Sequence, residues 1–156
     1  MGERVGGEVE AINRRREDLF RAFNAADADS FVASVADDVV WMGHSGPPPT
    51  IGKEAVQSFY KEFFERGPFI PHVRGSSDEV VVSGNWAFDR GTWFITRTYK
   101  RGFRRERLES CHVMIWRRPP DGKWKLALLI WNGAPAPVKA PKASRTRRRR
   151  EGSRLR

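Results

Sequence analysis

Cysteine, histidine and tyrosine are scarce: 156 residues hold one, three and two of them. The lone Cys111 has no partner for an intrachain disulfide, so a reducing, cytoplasmic setting is the default expectation. Cys111 and His112 are neighbours on a predicted strand and face opposite ways, and three His with one Cys in no ligand spacing argue against a zinc site. Neither a G-x-G-x-x-G after a strand nor a G-x-x-x-x-G-K-[ST] occurs, and no cofactor is expected. Long apolar runs are missing as well. The longest, Leu126 to Trp131, falls far short of the roughly 20 residues that span a bilayer. The first sixteen residues mix Glu3, Glu8 and Glu10 with Arg4 and Arg14 to Arg16 and contain no secretory h-region. Gly6 stands where a myristoylation signal wants Ser or Thr.

What is present is a core for one domain. Six Trp and ten Phe in a chain that is 39% hydrophobic are too aromatic for disorder. The formal charge of +10 is unevenly placed. Residues 139–156 hold nine basic residues against Glu151, a net +8, so the other 138 residues carry 20 basic and 18 acidic groups. Residues 1–134 are therefore read as the domain, and 135–156, with Pro135, Pro137 and Pro141 before the arginines, as a disordered tail. Such a tail is either a solvated end or a clamp for nucleic acid or an anionic surface, without sequence specificity and weakened by salt.

The periodicity is helical first and extended afterwards. Val9, Ile12, Leu19, Phe20 and Phe23 predict a long first helix, with Arg14 to Asp18 mostly on its solvated side. Asp27 and Asp29 offer caps for a short second helix that Asp37 and Asp38 close, ahead of a strand from Val39 to Met42. After the proline-rich loop from Gly43 to Gly52, a third helix presents Val56, Phe59, Tyr60 and Phe63 on one face and ends at Gly67-Pro68. Strands are predicted at Ile70–Arg74, Glu79–Ser83, Trp86–Tyr99, Arg107–Arg118 and Lys123–Asn132, with turns at Ser83-Gly84-Asn85 and Pro119-Pro120-Asp121-Gly122. This order is that of an α+β fold, not of alternating βαβ units.

The stretches AFNAADADSFVASVADDVVWMG, IGKEAVQSFYKEFF, GNWAFDRGTW and VMIWRRPPDGKWKLALLIWN resemble the SnoaL-like and ketosteroid isomerase-like domains of the nuclear transport factor 2-like superfamily, over approximately residues 8 to 134. The resemblance implies a cystatin-like cone: a strongly curved, mostly antiparallel sheet wrapped around three N-terminal helices, with an apolar pocket at its open end. It implies no single chemistry, because function on this scaffold lives in the pocket residues. The positions of the isomerase's Tyr, base and second Asp fall on Leu19, Gly43 and near Met114, so that constellation is not retained. In dehydratase-type relatives a His is oriented by an Asp, and the resemblance places His72 and Asp27 there. A carboxylate on one ring nitrogen would raise the basicity of the other and suit proton transfer near neutral pH. Asp27 serves equally well as a helix cap, and His72 as an exposed strand residue.

Trp41, His44, Tyr60, His112 and Asn132 are the candidate ligand-binding residues, His44 from the loop by the pocket mouth and Asn132 from the end of the last strand. Strand alternation groups Ser110, His112, Met114 and Trp116, the more aromatic face and the expected interior, and Leu126, Leu128, Ile130 and Asn132 on the last strand. Both faces of Trp86–Tyr99 are apolar, as in a homodimer packed through its sheet, and Trp93 or Trp116 is expected at that interface or in the core. Two functional readings follow. One is a cofactor-independent isomerase, dehydratase or lyase that moves a proton on a small apolar metabolite. The other is a non-catalytic ligand-binding or dimerisation module.

Overall fold

A computed structural model describes residues 2–43, 48–102, 104–120 and 122–133, with side chains from Gly6 onward. The two terminal segments and the loop residue His44 lie outside the described residues, so the proposed tail does too.

Helix α1 (Gly2–Asn24) is followed by α2 (Ala28–Val32), β1 (Val35–Met42), β2 (Thr50–Ile51), α3 (Lys53–Arg66), β3 (Phe69–Ser83), β4 (Trp86–Tyr99), β5 (Arg105–Arg117) and β6 (Lys125–Gly133). The strands form a six-stranded sheet in the order β2-β1-β6-β5-β4-β3, antiparallel except where β1 runs parallel to β6. The fold is thus α+β, with the helices ahead of the long strands as the periodicity indicated. The two short strands expected at 70–74 and 79–83 are one strand, β3, in which Asp78 is an extra residue between the pairs Ser77↔Gly91 and Glu79↔Arg90. Such bulges increase local twist and let a sheet bend.

A larger irregularity changes the reading of β1. Four residues separate the pairs Val35↔Leu126 and Val40↔Leu128 on β1 but only Ala127 on β6. Asp37 and Asp38, expected to close α2, therefore lie within the strand and point outward, where Asp37 meets Lys53 at 2.5 Å and Asp38 meets Arg117. These solvent-facing pairs each contribute little to stability.

The core sits between the helices and the inner sheet face. Ile12, Leu19 and Phe20 of α1, Phe31 of α2 and Val56 and Tyr60 of α3 pack against Val39, Trp41, Met114, Trp116, Leu126 and Leu129. Phe59, expected on the buried face of α3, is instead half-exposed. At the end of α1 the Asn24 side chain accepts from Val73 N (2.7 Å) and donates to Val73 O (2.8 Å), which stitches the helix to β3. Ala26 then turns the chain with φ +56°, a left-handed position that usually holds glycine.

Candidate functional site

Two cavities open beside one another on the inner face. The smaller, of about 80 Å³, is lined only by apolar and aromatic side chains, among them Leu19, Phe20, Phe31, Trp93 and Leu129. The larger, of about 440 Å³, lies between β1, β2, α3 and the ends of β3 and β4. Phe23, Trp41, Tyr60, Ile95 and Trp131 line both. Phe59, Phe63, Phe69, Pro71, Thr50 and Arg97 complete most of the larger wall. Rings meet around it edge to face, as Trp41 does with Trp131 at 5.7 Å and with Tyr60 at 5.6 Å between centroids. In such pairs the positive edge of one ring meets the negative face of the other, the favoured geometry for aromatic contacts. Burial pushes the Tyr60 phenol well above its ordinary value, with the Trp41 indole N–H offsetting part of the rise. Tyr60 is thus a proton-bearing hydroxyl at neutral pH.

Each expected site residue has a definite place. Trp41 and Tyr60 line the larger cavity. His44 lies outside the described residues. The pairing expected of Asp27 and His72 is not made. Asp27 caps α2, accepting from Ser30 N at 3.0 Å, and its bonds to the Ser30 hydroxyl and backbone N–H hold its carboxyl below the ordinary value. His72 is exposed because Pro71 and Val73, its neighbours on β3, take the inner positions. No hydrogen bond or ion pair joins the two among the described residues. Asn132 also faces outward, where its Oδ1 accepts from Cys111 N at 3.2 Å. Its displacement has a plain cause. The register between β5 and β6 shifts at Ile115/Trp116, so the inner residues of β6 are Leu126, Leu129 and Trp131 rather than the even-numbered row that strict alternation suggests.

His112 does belong to the inner face, with Ser110, Met114 and Trp116, but it lines neither cavity. Trp93 lies stacked on its ring, 4.7 Å between centroids at 22°, and stands between it and the smaller cavity. Behind it is a buried polar cluster that the sequence pattern had not singled out. Arg16 Nη1 donates to Asp89 Oδ2 at 3.0 Å and Trp116 Nε1 donates to the same oxygen at 3.2 Å. Ser77 donates to Asp89 Oδ1 and accepts from Arg16, while Asn13 Oδ1 accepts from Arg16 Nη2 at 2.9 Å. His112 Nε2 stands 3.6 Å from Asp89 Oδ1, beyond hydrogen-bond length. Burial raises the Asp89 carboxyl, but the adjoining His112 imidazole, the Ser77 hydroxyl and the Arg16 guanidinium outweigh it and hold the group below its ordinary value. Arg16, expected among the mostly solvated charges of α1, is buried. It falls midway between Ile12 and Phe20 at i+4 spacing, which puts it on the buried stripe, and Asp89 shares parity with Ala87, Gly91 and Trp93. Those two spacings were the available signals.

The sequence profile of the SnoaL-like domain matches residues 17–127. The chain belongs to the SnoaL-like domain family. A ketosteroid isomerase-like protein from Erwinia carotovora atroseptica is similar at 26% identity and TM-score 0.71, over 83% of this chain and 98% of its own. A conserved protein from Planctomyces limnophilus is similar at 24% identity and TM-score 0.70, over 80% of this chain and 98% of its own. A domain with a cystatin-like fold from Nostoc punctiforme is similar at 15% identity and TM-score 0.69, over 83% and 79% of the two chains, which shows the shared fold. No curated protein matches the chain significantly. In this SnoaL-like domain no group of three or more His, Cys, Asp or Glu is placed to hold a metal among the described residues, and no described helix is long and apolar enough to cross a membrane.

Proposed function

We propose that this SnoaL-like domain is a small-molecule-binding module whose site is the larger aromatic cavity. The observation that carries the reading is the chemistry of the wall. A cavity of about 440 Å³ is large enough for one compact ligand, and its described lining includes several aromatic rings, one phenol, one threonine and one arginine, but no carboxylate or imidazole. Among the described residues nothing at the wall is suited to take up a proton near neutral pH. This favours binding over the isomerase, dehydratase or lyase reading, in which Asp27 and His72 were the acid–base pair. The test uses the tryptophans already in the wall. Titration with the neutral probe 2-naphthylmethanol should quench Trp41 and Trp131 fluorescence saturably. Ile95→Phe, which fills the space, should raise the apparent Kd at least about tenfold, while His72→Ala should leave it unchanged. Saturable quenching that Ile95→Phe does not alter would place binding elsewhere.

Trp86, Phe94 and Ile130 leave large apolar groups on the outer sheet face, which supports a homodimer through that face, whereas Trp93 and Trp116 lie in the core. The basic segment 139–156 supports non-specific polyanion binding, and the single exposed Cys111 a reducing, cytoplasmic setting. Deleting residues 139–156 should leave both Tm and the sedimenting dimer unchanged while abolishing salt-sensitive retention on heparin. A monomer in both forms removes the dimer, and a large drop in Tm means that the segment is docked.

A further inference from the structure

Arg97 is out of place in so apolar a wall. It continues the inner row of β4 after Trp93 and Ile95 and lines the larger cavity, with Phe69 beneath its guanidinium at 4.9 Å. Its guanidinium makes no hydrogen bond among the described residues, and its Nε is buried without a partner. The nearest anion is Glu106, with Oε2 3.7 Å from Arg97 Nη1, a distance at which the two attract but do not hydrogen-bond. That carboxylate is already shared: the same Oε2 accepts from Tyr99 Oη at 3.2 Å, and Oε1 stands 3.5 Å from Arg104 Nη2. Two guanidiniums therefore divide one negative charge at this rim. Lys100 adds a third cation, spent on the Phe64 and Glu65 carbonyls at the end of α3.

A partly buried guanidinium with unused donors is costly beside apolar rings unless something completes it. Arg97 is the one charged side chain in the described lining of the cavity, which matches a monoanion rather than a doubly charged phosphate, and the wall's other donors, among them the Trp41 indole N–H and the Tyr60 and Thr50 hydroxyls, are neutral. We infer that the ligand of this cavity is a flat apolar molecule bearing one carboxylate, which Arg97 binds at the rim while Trp41, Tyr60, Phe63 and Trp131 hold the body. This rests on the reading of the cavity as a binding site and names its ligand class. Stacking of Arg97 on Phe69 fixes the guanidinium plane and leaves its N–H edge as the specificity element.

Paired probes of one shape separate the two readings. In calorimetry and tryptophan quenching, 2-naphthoate should bind the intact protein about tenfold to a hundredfold more tightly than 2-naphthylmethanol. Arg97→Met, which keeps the stem over Phe69, should erase that preference by weakening naphthoate while leaving the alcohol's Kd unchanged. Arg97→Lys should retain part of the preference. Equal affinities in the intact protein, or a preference that survives Arg97→Met, would overturn the carboxylate inference and leave the cavity reading standing. If neither probe binds, both fall.

Discussion

Asp89→Ala should cost about 3–5 kcal/mol of folding stability, measured by urea denaturation at neutral pH. The carboxylate is fully buried and receives bonds from Arg16, Ser77 and Trp116, so its removal strands a buried guanidinium together with two other donors. Breaking one partner of such a pair leaves an uncompensated charge, whereas removing both charges does not. The double variant Arg16→Met/Asp89→Leu should accordingly lose less than Asp89→Ala alone. The pH dependence has a definite sign. Because the folded carboxyl lies below its ordinary value, the stability it contributes is complete above its unfolded value of about 3.9 and is lost as pH falls through the depressed folded one. The gap between wild type and Asp89→Ala should be flat from neutral pH to about pH 5 and narrow in more acid solution. A loss under about 1 kcal/mol at pH 7 would mean that the buried cluster does not hold the fold together.

Gly91→Ala should destabilise the domain by about 1–3 kcal/mol although it adds a single methyl group. Gly91 pairs with Ser77 on the edge strand β3 and with His112 on β5, midway along β4. A Cβ there would collide with the Ser76 carbonyl oxygen and come within 2.9 Å of both Ser77 Cα and His112 Cε1. The first obstacle is backbone and cannot swing aside. Relief requires β3 to move off β4 at its bulge, which also displaces the Ser77 hydroxyl from Asp89. Thermal unfolding followed by circular dichroism reads the effect, and an unchanged Tm would show that the sheet accommodates the methyl group.

The fold and the candidate site differ in how much of each can be read from the chain. Local chemistry accounts for α3 and for the uninterrupted β4, because helical periodicity, a two-residue Gly84-Asn85 turn and strand alternation are properties of neighbouring residues. Family resemblance reached the α+β architecture for the same reason: its motifs are turns and helix starts. The pocket mouth was only half legible. Trp41 and Tyr60 follow the parity of their own elements and line the larger cavity, but Asn132 and Trp131 exchanged faces. A bulge is a decision between two strands, and neither strand's sequence records it alone.

Length, one-domain composition, the concentration of charge in the last eighteen residues and the order of helices and strands were determined by the sequence itself, since each is additive or short-range. Tertiary structure alone decided which buried charges meet. Arg16 and Asp89 are 73 residues apart, and although i+4 spacing from Ile12 sets Arg16 on the buried stripe, nothing local names the carboxylate it meets there. Whether Asp27 meets His72 or caps α2 was likewise a question of distance across the fold, answered by the inner positions that Pro71 and Val73 take on β3. The physical reason is common to these cases. Hydrophobic patterning specifies a face, but the partner of a polar group depends on which elements that face brings within 3 Å, and that is set only when the sheet closes over the helices.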